Sequence, residues 1–132
     1  MEKKRALVID DEQIVLDSVK KILESEGYAV FTASTGGSGI SHALSEPFDV
    51  VLTDISMPRI DGYKVIRDIR QFNPTIPIMI ITGYASVNSA VEAMKLGANH
   101  YIEKPFSPEQ LMSAIAETIG KGGSHAAKNV DH

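Results

Sequence analysis

The 132-residue chain contains no cysteine. That excludes a disulfide framework and a thiolate metal site, and it lends no support to an oxidising compartment. Long apolar runs are also missing: none approaches the ~18 residues that a membrane-spanning helix needs. The start, M-E-K-K-R-A-L-V-I-D-D, passes from charge to four apolar residues and then two aspartates, which is too short for a secretory core. A cytoplasmic address without a membrane partner is the expectation. There is no basic excess. The net charge is −4 and no basic stripe is present, so nucleic acid is not an expected direct ligand. The glycine clusters at 36–39 and 120–123 lack the Lys-Ser/Thr of a Walker A loop, and no G-x-G-x-x-G follows the first apolar run, so neither cluster is a nucleotide site. The four histidines, His42, His100, His125 and His132, show no ligand spacing and read as surface residues.

What is present suits one domain with one core: 43% hydrophobic and 23% charged residues, in a chain of single-domain length. Apolar runs at 6–9, 28–33, 48–53, 78–81 and 100–102 alternate with helix-period segments. Those segments carry Val15, Val19, Ile22 and Leu23, then Ile40, Ala43 and Leu44, then Val65, Ile66, Ile69 and Phe72, then Val87, Ala90, Val91 and Met94, and finally Leu111, Ile115 and Ile119. Gly27 and Gly97 sit where helices stop, and Ser107-Pro108 is a cap followed by a first helical residue. Strands that are apolar throughout, rather than alternating, have both faces covered. The fold class is therefore α/β, a doubly wound five-stranded parallel sheet of order 2-1-3-4-5. The domain spans 1–120, and 121–132, rich in glycine and polar residues, reads as a flexible tail or truncated linker.

Four of the five apolar runs lead into residues with chemistry. Asp10, Asp11 and Glu12 follow the first, Asp54 the third, Thr82 the fourth and Lys104 the fifth. In a parallel sheet these ends share one edge, and ligands bind where the strand order reverses, here between the first and third strands. Asp10 and Asp11 could alone be helix-start residues. With Asp54 beside them they form a set of carboxylates that must take up a proton or a cation. A hard divalent ion with oxygen ligands, Mg²⁺ or Mn²⁺ in its place, fits that need. A lysine and a hydroxyl nearby suit an added phosphoryl group, and a carboxylate can be the nucleophile that receives it. Asp61-Gly62 reads as turn and helix-start chemistry only.

Four pieces, V-I-D-D-E, D-I-S-M-P-R-I-D-G, I-T-G and Y-I-E-K-P-F, stand in order at these strand ends. Over residues 5–119 the chain resembles bacterial two-component response-regulator receiver domains, whose fold is flavodoxin-like. The resemblance implies a phospho-accepting switch that catalyses only its own phosphorylation and dephosphorylation, and no other enzyme activity. Asp54 would be the phosphoacceptor. Asp10, Asp11, Asp54 and the backbone carbonyl of Ser56 would hold Mg²⁺. Thr82 and Lys104 would contact the phosphoryl group, Tyr101 would be the switch aromatic, and the Lys104–Pro105 bond would be cis. Ser56 and Tyr84 would tune the phosphoryl lifetime. The implied partners are a sensor histidine kinase or phosphotransfer protein and a downstream effector, with a homodimer through helix 4, strand 5 and helix 5. The run I-T-G-Y-A-S-V-N-S-A-V-E-A-M-K-L-G-A resembles receivers of enhancer-binding transcription activators, so a stand-alone receiver and a piece of a larger regulator both stay open. Two other classes fit less well. A haloacid-dehalogenase-like phosphatase needs a second acid at position 56, where a serine stands. A flavodoxin-like cofactor binder needs a Ser/Thr/Gly phosphate loop where this chain has D-D-E.

Overall fold

The computed structural model describes residues 3–131, with side chains to residue 120. The elements are β1 (Arg5–Ile9), α1 (Gln13–Ser25), β2 (Ala29–Ala33), α2 (Gly36–Ser45), β3 (Val50–Thr53), α3 (Gly62–Phe72), β4 (Ile78–Thr82), α4 (Val87–Leu96), β5 (His100–Glu103) and α5 (Pro108–Asp131). All strand pairs are parallel and the order is β2-β1-β3-β4-β5, as the pattern predicts. The tail expected over 121–132 falls on positions whose side chains lie outside the described residues, as do His125 and His132.

The central strands β1, β3 and β4 are buried on both faces because successive side chains point to opposite sides. Leu7, Ile9, Val51, Ile78 and Ile80 meet α2, α3 and α4 in one core. Ala6, Val8, Val50, Leu52, Met79 and Ile81 meet α1 and α5 in the other. This two-sided burial explains why the runs read as continuously apolar. The helix starts follow local chemistry. Asp61 accepts from the Lys64 N–H at 3.1 Å. Ser107 and Gln110 cap each other's backbone N–H groups at 3.1 and 2.8 Å. Gly27 and Gly97 follow α1 and α4 with positive φ.

Two apolar stripes do not go where their period suggests. Phe72, at the last position of α3, is 65% exposed, because Val65, Ile66 and Ile69 already fill that face and Ile76 closes the core beyond it. In α4 only Ala93 is fully buried, while Val87, Val91 and Met94 face solvent. The helix packs on the core through Ala93 and the half-buried Leu96, and its other large apolar residues are left outside. Among the described residues no helix is long and apolar enough to cross a membrane.

Candidate functional site

Strand register brings the acids together. Ile9 pairs with Thr53 across β1 and β3, so the next residues, Asp10 and Asp54, leave the sheet side by side. Backbone bonds hold them: Asp10 N–H donates to the Ala33 carbonyl at 3.1 Å and Asp54 N–H to the Ile9 carbonyl at 3.0 Å. Lys104 N–H donates to the Thr82 carbonyl at 2.8 Å, which ties the end of β5 to the end of β4. The backbones that carry Asp10, Asp54 and Lys104 are therefore each tied to a neighbouring strand end.

The loop after Asp54 turns within a few residues. Ile55 and Met57 are buried, and Ile60 N–H donates to the Pro58 carbonyl at 2.8 Å, closing a three-residue turn around Arg59 at φ 67°. The start of α3 then packs directly on the acceptor's backbone. A side chain at Gly62 would collide with the Asp54 carbonyl and the Ile55 Cα. So this glycine positions the site, beyond the turn chemistry that Asp61-Gly62 suggests.

Lys104 is the hub. Its ammonium lies 2.8 Å from Asp10 Oδ2, 3.2 Å from Asp54 Oδ2 and 3.1 Å from Glu12 Oε1. Burial works against its charge, but Asp10, Asp54 and Glu12 outweigh it, and its pKa rises above the ordinary lysine value. The lysine is charged at every physiological pH. Burial moves Asp10 the other way for a carboxylate: desolvation raises its pKa, opposed by Lys104 and by the Glu12 N–H. Asp10 is fully buried, and its Oδ2 has no hydrogen-bond partner beyond the ion-pair contact with Lys104. A buried acceptor with spare capacity, facing other carboxylates, is what a hard cation would satisfy.

The candidate residues fall into two sets. Asp10, Asp54 and Lys104 meet at one point, and Thr82 is buried at the neighbouring strand end, its hydroxyl accepting from the Tyr84 N–H at 3.2 Å. Ser56 is exposed, and its N–H donates to Asp54 Oδ1 at 3.3 Å. Asp11 stands apart, exposed on the rim, where it lines a cavity of about 470 Å³ with Thr35, Met57 and Arg59. The tight carboxylate cluster is instead Asp10, Glu12 and Asp54, with oxygens within 4.8 Å of one another. Glu12 belongs to the same acidic run, but nothing in its spacing singles it out as a Lys104 partner. Tyr101 is half-buried, its hydroxyl 2.7 Å from Ser89 Oγ. The Lys104–Pro105 peptide is cis, as expected.

An open parallel α/β sheet with two buried aspartates and a lysine at its switch point defines a class of site built for anionic chemistry near a cation. The response regulator receiver domain model matches residues 6–116, and the chain belongs to that family, the receiver domains of two-component systems. It is 37% identical over 113 residues to the transcriptional regulatory protein ZraR of Klebsiella oxytoca, covering 86% of this chain and 26% of that protein. The chain thus spans about a quarter of that relative's length. The crystal structure of a CheY-like receiver domain protein from Methanospirillum hungatei JF-1 superposes with a TM-score of 0.88 at 35% identity, covering 94% of this chain and 99% of that one. The receiver domain of the sensor histidine kinase PA1611 from Pseudomonas aeruginosa PAO1, crystallised with a magnesium ion in its active-site cleft, superposes at 0.83 with 26% identity, covering 90% and 99%.

Proposed function

We propose that Asp54 is the phosphoacceptor of this receiver, that it takes its phosphoryl group from the phosphohistidine of a sensor kinase or phosphotransfer protein, and that the domain catalyses only its own phosphorylation and dephosphorylation. The observation that carries the reading is the ammonium of Lys104 bridging the buried Asp54 to Asp10, whose Oδ2 lacks a hydrogen bond. An Asp54 oxygen attacks phosphorus, the P–N bond to the donor histidine breaks, and the imidazole leaves with the electron pair. Lys104, already aimed at Asp54 Oδ2, follows the negative charge onto the phosphoryl oxygens. Thr82 turns its hydroxyl from the Tyr84 N–H to the same group. Water later cleaves the acyl phosphate and restores the carboxylate.

Asp10, Asp54 and the Ser56 carbonyl, with Asp11 or Glu12 on the open side, would hold Mg²⁺, or Mn²⁺ in its place. When bound, the ion supplies charge neutralisation to the carboxylates and to the phosphoryl oxygens. The output is a population shift: the new charge draws Thr82 and Lys104 inward, Tyr101 follows, and the α4–β5–α5 face changes for an effector or a second copy. The exposed Val87, Val91 and Met94 on α4 support that face as the contact surface. The cytoplasm is the compartment that suits this exchange.

Intact-mass spectrometry after incubation with a small phosphodonor and Mg²⁺ tests the reading. Wild type should gain one phosphoryl group, and Asp54→Asn or chelation of Mg²⁺ should abolish the gain. A wild type that gains none, or an Asp54→Asn variant that gains as much, overturns it.

A further inference from the structure

Tyr101 and the start of α4 share one atom. Ser89 is the third residue of α4, and Ser86 is its N-cap. Ser86 Oγ accepts from the Ser89 N–H at 3.1 Å, and Ser89 Oγ accepts from the Ser86 N–H at 3.1 Å, which makes a closed capping box. The Tyr101 hydroxyl lies 2.7 Å from the same Ser89 Oγ.

A serine hydroxyl has one proton to donate and two lone pairs. The Ser89 proton reaches the Ser86 carbonyl at 3.1 Å, and one lone pair takes the Ser86 N–H. One acceptor position remains. The Tyr101 hydroxyl at 2.7 Å and the Ser86 hydroxyl at 3.0 Å both lie within its reach. Either hydroxyl can donate across the Ser89–Tyr101 contact, since the Ser89 proton can turn from the Ser86 carbonyl to Tyr101, and in both arrangements Tyr101 holds the shorter contact. If Tyr101 leaves, Ser86 offers both a hydroxyl donor and a carbonyl acceptor to the vacated position, so neither serine is orphaned and the helix stays capped. Tyr63 is coupled to the same group: burial and then Tyr101 raise its pKa, and a side-chain hydrogen bond with Ser89 opposes the rise.

We propose that Ser89 is a positioning residue, the outer latch of Tyr101, which couples the rotamer of that tyrosine to the N-terminal cap of α4. The proposal rests on the reading of Tyr101 as the side chain that moves. The latch biases the resting domain toward the outward tyrosine. Because a second partner stands ready on Ser86, it releases at the cost of exchanging one hydrogen bond for another. The same exchange repartners the α4 cap, so the start of the exposed α4 face registers where Tyr101 points.

The test uses the full chain labelled with 3-fluorotyrosine, its Tyr101 ¹⁹F resonance assigned by Tyr101→Phe. Beryllofluoride with Mg²⁺ provides the phosphoryl mimic, and the ¹⁹F signal of the bound mimic reports saturation. In wild type, saturation should move the Tyr101 resonance to a new end-point. Ser89→Ala should move the resting resonance toward that end-point, raising the inward-to-outward ratio by about two- to fivefold, the size of one exchanged neutral hydrogen bond. Ser89→Thr, which keeps the hydroxyl, should restore the wild-type position. Ser86→Ala, which weakens the cap but spares the Ser89–Tyr101 contact, should not move it inward. The latch is overturned if Ser89→Ala rests at the wild-type position, or if Ser86→Ala moves the resonance as far. If saturated wild type shows no movement of Tyr101 at all, the switch reading of Tyr101 fails, and the latch fails with it.

Discussion

Removing the Lys104 ammonium should destabilise the metal-free fold by an amount set by pH. At an effective dielectric constant of about 20, its contacts with Asp10 and Asp54 at 2.8 and 3.2 Å are each worth about 5–6 kcal/mol of attraction. The contact with the exposed Glu12 is discounted, because solvent screens it. Desolvation offsets most of the attraction, so an intact buried pair roughly breaks even. Lys104→Met removes the attraction and leaves two buried carboxylates within 4.8 Å of each other, a repulsion of about 3.5 kcal/mol or more on the same scale. The loss has a ceiling, because either carboxylate can take up a proton. Protonating an aspartate of ordinary pKa costs about 4 kcal/mol at pH 7 and about 1.5 kcal/mol at pH 5. Urea unfolding followed by circular dichroism should thus show a deficit of up to about 4 kcal/mol for Lys104→Met at pH 7, shrinking to about 1.5 kcal/mol at pH 5. Mg²⁺ should recover more stability in the variant than in wild type, because it replaces the missing charge. A variant as stable as wild type at pH 7, or a deficit unchanged at pH 5, would refute the electrostatic account.

Other outcomes follow from the same geometry. The folded pKa of Lys104 lies above the ordinary 10.5, so its contribution is fully present below that pH and is lost as pH rises through the folded value; alkaline melting curves of wild type and Lys104→Met should converge above pH 10.5. The raised pKa of buried Asp10 has the opposite sense: its ionisation costs stability as pH rises from the ordinary carboxylate range through the folded value, so in metal-free protein Asp10→Asn should be more stable than wild type at neutral pH and should lose that advantage in acid. Gly62→Ala drives a methyl into the Asp54 carbonyl and should lower stability by about 2–4 kcal/mol by urea midpoint, with slower phosphorylation because the acceptor's backbone must shift. Tyr84 is 77% exposed beside Thr82, and Tyr84→Ala should shorten the lifetime of the phosphorylated form if its ring shields the acyl phosphate; unchanged decay would refute that role.

The sequence by itself determined which segments are strands, their parallel order and the edge at which the chemistry gathers. Those features follow from local rules: two-sided burial makes a strand apolar throughout, caps and glycines mark helix ends, and a parallel sheet puts every strand's carboxyl end on one side. Asp10, Asp54, Thr82 and Lys104 were legible for that reason. Only the tertiary structure decided who pairs with whom. Lys104 reaches Glu12 across 92 positions and Asp54 across 50, and whether Glu12 or Asp11 joins the cluster depends on how the chain leaves β1, which spacing does not encode. Gly62 looked like turn chemistry because its neighbour, the Asp54 carbonyl, is brought to it only by the packed loop. The stripe of α4 kept its helical period but not its burial, since a period gives the face of a helix, and the side on which the sheet lies is settled by packing through Ala93. The Ser89 contact with Tyr101 joins two elements that no local pattern relates, so it too was settled only when α4 packed beside β5.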